Sequence, residues 1–201
     1  MSREIIAILR GLTPDEAIPM TDALLEAGIA RIEVPLNSPN PFESIEKMVN
    51  HAGDRAVVGA GTVLDPASVR RLRDIGAGMV VSPDCNPDVI SETKAAGMLS
   101  YPGVFSATEA FAALRAGADG LKFFPAFKLG IDGFTALKAV LPTSAPTFAV
   151  GGVAAENFAE WLAAGITGFG IGSSLYKPGQ SAQEVSASAL RHVAAYDAVV
   201  R

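Results

Sequence analysis

The sequence predicts an α/β chain folded as a compact (β/α)8 TIM barrel, and three observations carry that expectation. Short apolar runs alternate with helical patterns eight times along the chain. The runs are almost continuously apolar, as parallel strands covered on both faces must be. Four helical patterns end on the same pair, Ala27-Gly28, Ala96-Gly97, Ala116-Gly117 and Ala164-Gly165. A glycine just past the last turn adopts the left-handed conformation that lets the chain reverse into the next strand. Strand–helix alternation with right-handed crossovers admits either a doubly wound sheet or a closed barrel. Eight units favour the barrel. At 201 residues each unit has about 25, near the lower limit for this architecture. No Pro/Ser-rich linker or charge block interrupts the series, so residues 1–201 are expected to form one domain.

The elements follow in order. Strand one is read at 5–9, closed by Arg10-Gly11, and Thr13-Pro14-Asp15-Glu16 supplies an N-cap, a proline at the first helical position and an acidic first turn for a helix ending at Ala27. Strand two (31–36) precedes a Pro/Asn/Ser loop and a helix over 41–51. Strand three (56–62) is followed by a helix that Asp65-Pro66 caps, and strand four (79–82) by one that Asn86-Pro87 starts. Strand five (98–101) leads to Ser106-Ala107-Thr108-Glu109, a capping box. Strand six (120–124) is paired with a helix from about 131 to 140, strand seven (147–150) with one over 155–164, and strand eight (168–171) with the last helix, 181–200.

Composition narrows the function. Hydrophobic residues make up 49% and charged residues 18%, with a mean hydropathy of +0.32, which is not the composition of a disordered chain. No stretch approaches the ~18 apolar residues of a membrane span. The net charge of −5 and pI near 5.0 argue against nucleic acid, whose phosphates call for a basic face. Cys85 is the one cysteine, so neither an internal disulfide nor a paired-cysteine metal site can form. His51 and His192 show no metal-ligand spacing, and no metal is expected. The N-terminal apolar run is too short for a secretory signal, so the expected location is the cytoplasm.

In such a barrel, chemistry sits at the C-terminal ends of the strands, so polar residues there are the informative ones. Arg10 ends strand one, Glu33 lies inside strand two, Thr62 ends strand three, and Lys122 lies inside strand six between Leu121 and Phe123. A buried unpaired charge costs several kcal/mol, roughly, so each needs a partner or a task. Lysines 47, 94 and 138 fall on helices as solvated groups, and Lys128 and Lys177 in loops; Lys122 alone sits in an apolar strand. Desolvation lowers a lysine pKa and frees the amine to attack a carbonyl. Lys122 is therefore read as a Schiff-base nucleophile, as the ion-pair partner of Glu33, or as a phosphate ligand. Glu33 is read as an acid/base or as a counter-ion, and Arg10 as a carboxylate or phosphate fork or a plain rim arginine. Gly151-Gly152 after strand seven and Gly170 to Ser174 after strand eight suit a phosphate cradle of backbone N–H groups. Gly59-Ala60-Gly61 reads as a bulge making room for substrate. Phe123, Phe124 and Phe127 read as core and pocket wall, Met79 and Met98 as core, and Tyr101 as either pocket or rim.

These residues resemble the class I aldolases of the 2-keto-3-deoxy-6-phosphogluconate/galactonate group. The matching segments are I-A-I-L-R-G (6–11), I-E-V-P-L-N-S-P (32–39), G-A-G-T-V-L (59–64), S-P-D-C-N (82–86), Y-P-G-V (101–104), T-E-A (108–110), L-K-F-F-P-A (121–126), A-V-G-G-V (149–153) and G-I-G-S-S-L-Y (170–176), in the family's order along nearly the whole chain. The resemblance implies that Lys122 is the Schiff-base lysine and Glu33 the acid/base. It implies that Arg10 and Thr62 hold the substrate carboxylate, that Pro83 belongs to the pocket wall, and that Gly151, Gly152, Gly172 and Ser173 grip the phosphate. It further implies a homotrimer without metal or cofactor, acting on a phosphorylated keto acid and releasing pyruvate. Asn37 stands where the gluconate-type enzymes usually place an arginine, so the element resembles the galactonate type. The expected reaction is cleavage of 2-dehydro-3-deoxy-6-phosphogalactonate to pyruvate and glyceraldehyde 3-phosphate. The rival expectations are the gluconate epimer as substrate, a sugar-phosphate isomerase or epimerase without a covalent step, and a non-catalytic binder of phosphorylated sugars.

Overall fold

A computed structural model of the chain describes residues 3–200. Nine parallel strands form one sheet: β1 (Ile5–Ile8), β2 (Arg31–Pro35), β3 (Val57–Gly61), β4 (Met79–Val81), β5 (Leu99–Tyr101), β6 (Gly103–Val104), β7 (Leu121–Phe123), β8 (Thr147–Val150) and β9 (Gly168–Ile171). They are ordered β5-β4-β3-β2-β1-β9-β8-β7-β6. β5 and β6 are one chain segment interrupted at Pro102, which has no N–H to give to a ladder. The ring closes there, because Ser100 O accepts from Asp119 N at 3.0 Å and Pro102 O from Lys122 N at 2.9 Å. Eight barrel positions result, as the sequence predicts, with the fifth one stepped.

Eight helices wrap the strands: α1 (Ala17–Ala27), α2 (Pro41–Ala52), α3 (Pro66–Asp74), α4 (Pro87–Ala95), α5 (Ala107–Arg115), α6 (Ala126–Lys138), α7 (Phe158–Ala163) and α8 (Ala182–Val200). The caps at Asp65, Asn86 and Ser106 form as read, the last as a complete capping box with Glu109. Gly28, Gly97, Gly117 and Gly165 all carry the positive φ of a helix stop. Two starts differ. Thr13 to Glu16 make a turn instead of a helix start, because the Glu16 carboxylate accepts from both Thr13 N and Oγ1, and α1 begins at Ala17. α6 begins at Ala126, about five residues earlier than read, and breaks at Gly130 (φ 70°); Lys128 therefore lies on a helix.

The core has two parts. The larger lies between strands and helices and takes alternate strand residues such as Ile32, Val34, Leu121 and Phe123. The smaller fills the barrel interior with Ile6, Ile8, Met79, Val81, Tyr101, Phe148 and Val150. Tyr101 is thus neither rim nor pocket wall. It meets Phe148 edge to face at 5.2 Å and plugs the barrel. Lys94 is half-buried and paired with Asp119 at 2.6 Å, and Lys138 donates to Gly165 O, so neither is merely solvated; Lys47 is, with Glu43 beside it.

Candidate active site

The period of two along a strand decides which side chains enter the barrel. Ile32 and Val34 face the helices, so Glu33 between them points inward; Leu121 and Phe123 do the same for Lys122. In the ring, β2 and β7 are separated by β1, β9 and β8 on one side, which places Glu33 and Lys122 on opposite walls. Glu33 is 1% exposed and Lys122 7%, and among the described residues no other Asp, Glu, Lys or Arg is buried.

Their electrostatics follow from that burial. Loss of water pushes the Glu33 carboxyl up to about 7, against the opposing pull of Lys122 and Arg10. Glu33 Oε2 is buried without a hydrogen-bond partner. Burial also lowers the Lys122 pKa, and the Glu33 charge works against that lowering. The Lys122 ammonium position lies 5.0 Å from the centre of the Phe124 ring. The site thus holds an amine whose pKa burial lowers and a carboxyl able to carry or release a proton near neutrality.

Glycine makes room for this pair. A Cβ on Gly61 would overlap Glu33 Oε2, and one on Gly59 would overlap the Met79 carbonyl. Both glycines lie in regular register with β2, Glu33 opposite Gly59 and Pro35 opposite Gly61. The 59–61 segment is therefore no bulge; it is a regularly paired strand that others approach closely.

Glu33 and Lys122 open into a cavity of about 710 Å³ whose lining also includes Arg10, Phe124, Gly151, Gly152, Gly172 and Ser173. Of the residues singled out by sequence, Thr62 and Pro83 are not in that lining. Thr62 follows Gly61 with a φ of 56°, and Pro83 follows β4 with its carbonyl against Gly103. Arg10 is exposed at the rim and donates to Asn37 Oδ1. Gly11 N, next to it, donates to Ser38 Oγ at 2.9 Å. Phe124 lines the cavity as expected, and Phe123 is core. Phe127 is 61% exposed and lies over Gly152, so it is not core.

The far arm of the cavity is built of backbone. Gly151 and Gly152 have φ of 90° and 72°, open to glycine with little strain. Among the described residues the N–H groups of Gly152, Val153, Ser173 and Ser174 have no hydrogen-bond partner. Unpaired backbone donors on two adjacent loops suit an anion with several oxygens. Sequence reasoning missed Ile8, Val150, Tyr176, Lys177 and Pro178, which also line the cavity; only the strand period could have flagged Ile8 and Val150.

The two histidines lie apart from the cavity lining. His51 pairs with Asp22 at 2.7 Å and His192 is buried in contact with Ser188 O.

This geometry has relatives. Over residues 1–189 the sequence matches the family described as "Aldolase: KDPG and KHG aldolase". The chain belongs to the KDPG and KHG aldolase family. A protein of Rhizobium meliloti (strain 1021) named "Probable 2-dehydro-3-deoxy-6-phosphogalactonate aldolase" is 55% identical, with 99% of this chain and 94% of that protein covered. The "2-dehydro-3-deoxy-6-phosphogalactonate aldolase" of Escherichia coli (strain K12) is 47% identical over 98% and 96%. Among solved structures, "Native KDPGal structure" superposes with a TM-score of 0.98 at 46% identity, covering 100% of this chain and 97% of that one. A cube-shaped protein cage "designed by fusing symmetric oligomeric domains" superposes with a TM-score of 0.97 at 46% identity, covering 99% of this chain and 74% of that one.

Proposed function

We propose that the chain is a class I aldolase that cleaves 2-dehydro-3-deoxy-6-phosphogalactonate to pyruvate and glyceraldehyde 3-phosphate. The observation that carries this reading is the facing pair of buried Lys122 and Glu33 in a cavity that ends in unpaired backbone N–H groups. The galactonate epimer is favoured by the names of the relatives at 55% and 47% identity and by Asn37 in the loop after β2.

In this scheme the free amine of Lys122 adds to the C2 ketone. Proton transfers aided by Glu33 expel the C2 oxygen as water and leave an iminium. Glu33 then takes the C4 hydroxyl proton, directly or through water. The electron pair of the broken O–H bond forms the aldehyde C=O, the C3–C4 bond breaks, and its electron pair moves into the iminium to give an enamine. Glyceraldehyde 3-phosphate leaves. C3 is reprotonated, and water hydrolyses the iminium, freeing pyruvate and the amine. The lysine itself supplies the electron sink, so the scheme requires no metal or cofactor. Arg10 holds the carboxylate, and Gly151, Gly152, Gly172 and Ser173 bind the phosphate, whose remote binding energy holds the reacting carbons in register; Thr62 and Pro83, outside the cavity lining, are assigned to the carboxylate and the wall by the family resemblance alone. A cytoplasmic homotrimer is the assembly proposed; the structural likeness to a cage of symmetric oligomeric domains supports an oligomer.

Borohydride added with pyruvate should trap one reduced pyruvate on Lys122, located by peptide mass spectrometry, and Lys122→Ala should abolish both adduct and turnover. An adduct that persists in Lys122→Ala, or a wild-type protein that turns over substrate without forming one, overturns the scheme. Faster cleavage of the gluconate than of the galactonate epimer would overturn the substrate assignment alone.

A further inference from the structure

We propose that Lys177 is the cation that recognises the substrate phosphate and sets the preference for phosphorylated over unphosphorylated acids. This rests on the aldolase reading of the cavity. A phosphate dianion held by neutral N–H groups alone would be poorly compensated in a partly enclosed site, where charge is weakly screened. The cavity lining contains three cationic side chains, Arg10, Lys122 and Lys177. Lys122 is committed to the reacting carbon. Arg10 is assigned to the substrate carboxylate and is hydrogen-bonded to Asn37. Lys177 is left, and among the described residues no carboxylate pairs with it. Glu184, which borders the adjoining groove with Lys177, is occupied by Ser181 N and Oγ, both at 2.8 Å.

The loop that carries Lys177 is fixed to the cradle from both sides. Leu175 N and Tyr176 N donate to Gly172 O at 2.8 and 3.0 Å. Ser174 Oγ donates to Val153 O at 3.1 Å, tying this loop to the one after β8. Lys177 N donates to Gln180 Oε1 at 2.7 Å, and Pro178 packs so close to Gly11 that a Cβ there would come within 2.6 Å of its Cγ. The backbone is therefore held while the side chain stays exposed at the cavity wall. A flexible point charge over a rigid ring of amides is a suitable design for a phosphate.

The test uses the full chain with Lys177→Met and Lys177→Arg. Specificity is read as the ratio of kcat/KM for the phosphorylated acid to that for its unphosphorylated counterpart. Binding is read by calorimetry with inorganic phosphate alone. Loss of one charge-assisted hydrogen bond predicts that Lys177→Met lowers the ratio about tenfold and weakens phosphate binding, while Lys177→Arg restores most of both. A ratio and a phosphate affinity unchanged in Lys177→Met overturn the proposal, as does a fall in kcat/KM shared equally by both substrates. Borohydride trapping of pyruvate on wild-type protein reports separately on the aldolase reading: if no adduct forms, that reading fails, and the phosphate titration still decides the role of Lys177.

Discussion

Replacing Gly61 by alanine perturbs the proposed acid/base, Glu33, without substituting it. The new Cβ would overlap Glu33 Oε2, so the carboxylate must retreat by about 2 Å to regain van der Waals separation. Glu33 is enclosed by the barrel, and β3 is held in register by β2 and β4, so the side chain yields before the strand. Overpacking of this kind costs about 1–3 kcal/mol of stability, which a folded barrel tolerates. Catalysis is affected more. A positioned acid/base contributes about 10²–10⁴ in rate, and a displacement of that size removes most of it. We expect kcat for cleavage, followed by pyruvate release in a coupled assay, to fall at least about a hundredfold. Urea unfolding should show a loss of about 1–3 kcal/mol. Phosphate affinity should stay near wild type, because the cradle lies on other strands. A Gly61→Ala protein with kcat within a factor of about three of wild type would refute the placement of Glu33 as the proton carrier.

Two more outcomes follow from burial and backbone. Glu33 has a pKa raised from 4.5 to about 7. The native state therefore binds the proton more tightly than the unfolded chain, and stability falls as pH rises from 4.5 to 7 and is level above that. The span corresponds to about 3 kcal/mol, so Glu33→Gln should be more stable than wild type at pH 8 by up to that amount and close to it at pH 4, measured by urea unfolding at both; equal stability at pH 8 would contradict the shift. At Gly152 the φ of 72° and a Cβ position 2.5 Å from Phe127 Cβ make alanine strained in the anion cradle. Gly152→Ala should raise KM for the phosphorylated substrate roughly tenfold and leave trapping of pyruvate on Lys122 intact, whereas an unchanged KM would remove Gly152 from the phosphate site.

Much of the fold was legible because its signals are local. A charge inside an otherwise apolar strand stands out in the sequence, and that contrast singled out Glu33 and Lys122. Helix stops were equally readable, since the glycine conformation at Gly28 or Gly165 is set within one turn. What could not be read depends on residues distant in sequence. The step at Pro102 shows only once β4 and β7 flank it, and the plug of Tyr101 on Phe148 joins strands 47 residues apart. Gly61 looked like a bulge because its true neighbour, Glu33, is 28 positions away. Lys177 read as an ordinary loop lysine because its loop becomes part of the site only when Ser174 reaches Val153. The start of α1 was misplaced for the opposite reason: Thr13 and Glu16 do form a local capping contact, but they spend it on a turn.

The aromatic plug has a consequence for the order of events. With Tyr101, Phe148, Met79 and Ile6 filling the barrel beneath the site, the cavity is a cul-de-sac. In the proposed reaction the fragment bonded to Lys122 lies over that floor, and the phosphorylated fragment lies in the other arm, beside Gly152 and the exposed Lys177. On that proposal traffic is last in, first out: the aldehyde phosphate departs before pyruvate, and in the synthetic direction pyruvate is seated before the aldehyde arrives. The order that the covalent bond to Lys122 sets in the proposed scheme is thus reinforced by shape, through a floor that takes no part in the chemistry.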